Sequence, residues 1–150
     1  DQDDIWLPDK LSMIRGIFEE NDVDLVLHDM YLASNEEIAN QSFAKTSFSI
    51  RRRWHGVINN LIYNSYYGCC MAFSAKLIGQ FCPFPDSTTM YDQLIGLLGE
   101  SRWKVEFIDK PLIIHRIHGD NMSQKDTLIG QIISRYQLLR TFRKTIQNIK

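Results

Sequence analysis

No apolar run in this chain of 150 residues approaches the ~20 that a helix needs to cross a bilayer, and no signal-peptide pattern opens it. Excess charge is missing too. Seventeen Lys and Arg against eighteen Asp and Glu leave a formal charge of −1, so electrostatics alone do not make it a nucleic-acid binder. Cysteine is scarce and odd in number: Cys69, Cys70 and Cys82. Sequence neighbours rarely pair because the disulfide is strained, and no C-x-x-C suggests a structural zinc cluster. Buried reduced thiols in a reducing cytoplasm are expected. Internal repeats and low-complexity tracts are absent. What remains is ordinary globular composition, 44% hydrophobic and 23% charged, which excludes a disordered or collagen-like chain. An initiator methionine is also lacking: the chain opens inside the acidic motif Asp1-Gln2-Asp3-Asp4 and reads as the later part of a longer protein.

Trp6-Leu7-Pro8-Asp9-Lys10-Leu11 reads as a helix entry, because proline is well tolerated in a first turn. Leu11, Ile14 and Phe18, with Met13 and Ile17 beside them, then mark an amphipathic helix ending near Asn21. Val23 to Leu27 predict a strand that finishes at His28-Asp29. Residues 33–46 read as a loop, 54–66 as a helix, 67–73 as a buried strand, and 74–80 as a helix capped by Ser74. A helix over 90–99, strands over 105–108 and 111–117, and one long helix over 127–149 follow. Strands separated by helices predict an α/β fold. In the last helix Ile129, Ile132, Ile133, Tyr136, Leu139, Phe142 and Ile146 form an apolar stripe with a basic rim. Docking on the parent domain is the commoner meaning of such a stripe, and peripheral membrane contact the sharper one. Arg51-Arg52-Arg53 is a solvated face or a contact for acidic groups.

Asp1, Asp3 and Asp4 are the densest anionic cluster. On a turn such carboxylates converge on a hard cation, or they merely cap the next helix in solvent. His115-Arg116-Ile117-His118 closes an apolar strand, where His118 is suited to hold a metal and Arg116 a phosphate; a satisfied surface turn is the alternative. Asp92 opens a helix, a place the macrodipole favours for any carboxylate.

Taken in order, Asp1-Gln2-Asp3-Asp4-Ile5-Trp6-Leu7-Pro8-Asp9-Lys10-Leu11, Gly68-Cys69-Cys70-Met71-Ala72-Phe73, Tyr91-Asp92, and Ile108-Asp109-Lys110-Pro111-Leu112-Ile113 with Arg116-Ile117-His118-Gly119-Asp120-Asn121 resemble bacterial family 2 glycosyltransferases, in particular the rhamnosyltransferase-like branch. The resemblance spans residues 1–123 and leaves 124–150 as an amphipathic C-terminal helix. It implies the A-type glycosyltransferase fold, a mixed sheet with flanking helices, here without its N-terminal nucleotide-binding half. It also implies inverting, divalent-metal-dependent transfer of a sugar from a nucleotide-diphosphate donor to a glycan or lipid-linked glycan hydroxyl, in bacterial surface polysaccharide synthesis at the cytoplasmic side of the membrane. In that scheme Asp92 is the catalytic base, and Asp1, Asp3 and Arg116 bind donor. Gly68 and Cys69 form the acceptor-side loop, and Asp3 with His118 holds Mg2+ or Mn2+. Tyr91 stands where the family often carries a second acid. These 150 residues alone are expected to be inactive, and strand 23–27, deprived of its neighbours, to present an edge that drives homodimers or swapping. A non-catalytic interaction module and a metal-dependent nucleotidyltransferase are the rival readings.

Overall fold

In a computed structural model the described residues are 3–50, 56–82, 84, 90–117 and 127–148. Asp1, the Arg51-Arg52-Arg53 run and His118 lie outside them. The chain forms β1 (Ile5–Trp6), α1 (Lys10–Glu20), β2 (Leu25–Ala33), α2 (Asn35–Ala39), α3 (Ser47–Ile50) and α4 (Val57–Ile62). A 3₁₀ turn at Gly68–Cys70 leads into β3 (Met71–Phe73), and a second at Ala75–Leu77 into α5 (Ile78–Phe81). Then come α6 (Tyr91–Arg102), β4 (Val105–Arg116) and α7 (Leu128–Asn148).

Among the described residues the strands make one mixed sheet in the order β1-β4-β2-β3. β2 and β4 run parallel, while β1 pairs antiparallel with β4 and β3 antiparallel with β2. This is the α/β class that alternating strands and helices predict. Strand alternation sends Leu25 and Leu27 to one face and Val26 to the other. The first face carries the larger core, where Leu94, Leu97 and Leu98 of α6 meet Leu138 and Phe142 of α7. Under the second face Ile14 of α1 packs on Val26 and Leu112.

Several boundaries differ from the sequence-based expectation. β2 does not stop at His28-Asp29 but continues through Met30, Tyr31 and Leu32 to Ala33, and both residues fall mid-strand. The strands expected at 105–108 and 111–117 are one, β4. Its register against β2 slips on either side of Asp29, so that Pro111 sits opposite Asp29. A bulge is where a strand tolerates a residue with no N–H to donate. The expected helix entry at Trp6 is strand β1, and α1 begins at Lys10. The expected loop at 33–46 holds α2, entered through a capping box in which Ser34 Oγ accepts from Glu37 N–H and Glu37 accepts from Ser34 N–H. The expected helix 54–66 is the shorter α4, and Ser74 makes no side-chain cap.

The exposed-edge expectation is overturned as well. β2 is interior, flanked by β4 and β3, and its first six residues are buried. β3, three residues long, covers β2 along Leu25–Leu27, and β1, two residues long, covers β4 at Ile113 and Ile114.

Candidate functional site

The polar groups of interest gather toward the carboxyl ends of the parallel strands β2 and β4, the end of an α/β sheet where ligands are commonly bound. Pairing of Ile5 with Ile114 brings Asp4, just ahead of β1, opposite His115 near the end of β4. His115 Nδ1 and Asp4 Oδ1 are 2.7 Å apart. The Asp4 side chain is fully shielded, whereas that of His115 keeps 22% of its exposure. A carboxylate that accepts from Nδ1–H orients the ring and leaves Nε2 as the outward acceptor.

Cys69 joins this pair from the Gly68–Cys70 turn. Ligand-capable atoms of Asp4, Cys69 and His115 all lie within 4.8 Å of one another. The turn is held by Lys10, whose ammonium donates to the Cys69 carbonyl at 3.0 Å and lies 4.2 Å from the Trp6 ring centroid. Lys10 is buried while its neighbour Leu11 faces solvent, the reverse of what helical spacing suggests. Burial pulls the Lys10 pKa below the ordinary lysine value. The Cys70 thiol, buried behind Cys69, is held well above the usual thiol range by its contact with Cys69 and by burial, and Cys69 is lowered chiefly by the same contact. Their sulfurs are 3.9 Å apart.

The other end of the same turn reaches the candidate base. Asp92, half-buried at the start of α6, accepts hydrogen bonds from Gln93 N–H at 2.7 Å and from Gly68 N–H. Burial nevertheless raises its pKa above the ordinary carboxylate value. A Cβ at Gly68 would sit 3.3 Å from the hydroxyl of exposed Tyr91 and 3.5 Å from Asp92 Cβ, which shows how near the turn runs to the start of α6. Gly68 and Cys69 thus link Asp92 to the Asp4–His115 pair.

Two further buried groups lie in β2. His28 Nδ1–H donates to the Asp29 carbonyl at 2.7 Å, its Nε2 has no hydrogen-bond partner, and burial lowers its pKa to about 4. Asp29 serves the architecture. Its Oδ1 accepts from the Met30 and Phe48 amides at 2.8 and 3.2 Å, tying α3 to the sheet.

Of the residues expected from sequence, Asp92, Gly68 and Cys69 come together, and Arg116, half-buried, ends β4 beside His115. Asp3 is half-buried in the turn before β1; the carboxylate that meets an imidazole is its neighbour Asp4. Asp1 and His118 fall outside the described residues. Sequence reasoning missed the roles of Asp4, Lys10 and His115, because the pairing of the two-residue strand β1 with β4 has no local signature. The donor set that converges, one oxygen, one nitrogen and one sulfur, does not fit Mg2+ or Mn2+, which prefer oxygen shells. No family model, curated protein or solved structure matches the chain.

Proposed function

We propose that the chain is the acceptor-side part of an inverting glycosyltransferase, of the A-type fold, that moves a sugar from a nucleotide-diphosphate donor to a glycan hydroxyl in bacterial surface polysaccharide synthesis. The observation that carries this reading is Asp92: a half-buried carboxylate of raised basicity, tied through Gly68 to the polar cluster at the strand ends. A general base works best when its pKa lies closer to the working pH than an exposed aspartate's does. In the proposed step Asp92 takes the proton of the acceptor hydroxyl as that oxygen bonds to the anomeric carbon. The bond from this carbon to the diphosphate breaks on the opposite side, and the diphosphate leaves as an anion whose charge Arg116 offsets in this reading. One displacement inverts the carbon, so no second nucleophilic carboxylate is needed.

The same reading favours an anionic membrane surface as the meeting place with lipid-linked acceptor. No helix among the described residues is long and apolar enough to cross a membrane. The C-terminal half of α7 docks through Leu138, Leu139, Phe142 and Ile146. Its N-terminal half leaves Ile129, Ile132, Ile133 and Tyr136 between 51% and 71% exposed, while Arg140, Arg143 and Lys144 face solvent further along. Arg135 is spoken for, donating to the Leu61 and Ile62 carbonyls at the end of α4.

In the native protein that carries these residues, Asp92→Asn keeps the acceptor for Gln93 N–H but cannot take a proton. Sugar transfer falls about 10³-fold with donor KM little changed. Transfer that persists at wild-type rate would remove Asp92 as base and, with it, the enzymatic reading.

A further inference from the structure

We propose that Asp4, Cys69 and His115 form a binding site for a thiophilic divalent cation of the Zn2+ type. This stands apart from the glycosyltransferase reading, since it concerns the donor atoms and not turnover. Three separate elements deliver the ligands: the residue ahead of β1, the turn before β3 and the end of β4. The β1–β4 pairing sets Asp4 against His115, and the 3₁₀ turn that carries Cys69 is held by Cys70 N–H on the Tyr67 carbonyl and by Lys10 on the Cys69 carbonyl. A tetrahedral zinc ion with bonds of about 2.0–2.3 Å sets its ligand atoms about 3.3–3.8 Å apart. The present spread of up to 4.8 Å is wider than that range, so binding draws the side chains inward by rotation. Nδ1 and Oδ1 at 2.7 Å need only part slightly as the cation replaces the imidazole proton.

Donor chemistry selects the ion. A thiolate disfavours Mg2+, Ca2+ and Mn2+, whereas sulfur, imidazole and carboxylate together suit Zn2+ and Co2+. Two anionic ligands, Asp4 and the Cys69 thiolate, balance the charge of the cation. The Cys69 proton is released to solvent as it binds, and the Nδ1 proton of neutral His115 shifts to Nε2 through solvent. Three protein ligands with His115 partly exposed leave a fourth position open to water or to an oxygen ligand, the pattern of a reactive rather than a closed structural site. Lys10 on the Cys69 carbonyl opposes a cation electrostatically, which keeps affinity below that of a closed four-ligand cluster.

The test titrates the purified, metal-stripped protein with Co2+. The expected result is one equivalent bound, with the visible bands of tetrahedral cobalt and a thiolate-to-cobalt charge-transfer band, both abolished by Zn2+ and unaffected by a large excess of Mg2+. Cys69→Ser loses the charge-transfer band and weakens binding about 100-fold, Asp4→Asn weakens it about tenfold, and Cys82→Ser changes neither. Absent bands, or bands that vanish with the exposed Cys82 instead, overturn the proposal. A measurement on unmodified protein guards against misfolded variants: Zn2+ slows alkylation of Cys69 by iodoacetamide at least tenfold and leaves Cys82 unchanged. Equal rates at Cys69 with and without Zn2+ overturn it as well.

Discussion

The α6–α7 face of the sheet and the carboxyl end of its parallel strands are built from different material. On the face, Leu25, Leu27, Leu94, Leu97, Leu98, Leu138 and Phe142 close a dry cluster; its polar member, Tyr66, sends its hydroxyl to Glu100 Oε2 at 2.6 Å. Toward the strand ends Asp4, Cys69 and His115 gather, with Cys70 and Lys10 beside them and His28 and Asp29 buried in the middle of β2, and burial displaces the pKa of Lys10, His28 and Cys70. Burying groups that prefer to ionise costs stability, and such displaced groups cluster at functional sites more often than elsewhere. The dry face holds the fold; the strand ends carry the stability cost of buried ionisable groups.

The sharpest way to break this division is on the dry side. A Cβ at Gly96 would lie 2.2 Å from Tyr66 Cγ and 2.4 Å from Cδ2, and Tyr66 is fully buried with its hydroxyl tethered. Helix propensity alone favours alanine there by about 1 kcal/mol. Overpacking outweighs it, and Gly96→Ala is expected to lower the free energy of unfolding by about 3 kcal/mol in urea denaturation. A stabilised variant would mean that this face is loosely packed.

At the strand ends the signature is pH dependence. The folded pKa of His28 lies below its unfolded value of 6.5, at about 4, so between these the unfolded chain binds more protons. Stability is therefore fully present above pH 6.5 and falls as pH drops toward 4, by up to about 3 kcal/mol. His28→Phe is expected to flatten urea-unfolding stability across that window; an unchanged slope would assign the dependence to other groups. The smallest effect belongs to α7, at the margin of the dry face. Ile132→Ser is expected to weaken flotation with anionic vesicles about tenfold, roughly 1.4 kcal/mol, with stability unaltered. Absence of flotation by the wild-type chain at low salt would leave the exposed stripe to another partner.

Much of the architecture is legible because periodicity survives folding: the alternation of strands and helices, the helix over α1, α6 beginning beside Asp92, and nearly all of α7 follow from spacing alone. Boundaries fail where tertiary pairing overrides local rules. Pro111 reads as a strand break because it cannot donate, and only the register slip opposite Asp29 hides that defect. Lys10 has no local signal for burial, and a carbonyl and an indole ring hold it inside. The capping box at Ser34 and Glu37 has a local signature, but the small polar residues around it mask the short helix it opens. Of the candidate site, Asp92, Gly68 and Cys69 are written in local motifs. The meeting of Asp4 with His115 spans most of the chain and depends on two paired residues, Ile5 and Trp6, the second of which reads as a helix entry.

The claim that the strand ends carry the cost of buried ionisable groups is tested most directly by following the side-chain carboxyl carbon of Asp92 by NMR as pH is raised. A midpoint clearly above the ordinary aspartate value of 3.8 is expected, because burial there outweighs the hydrogen bonds from Gly68 and Gln93. A midpoint at or below 3.8 would show those hydrogen bonds winning instead, and would contradict the account at its candidate base.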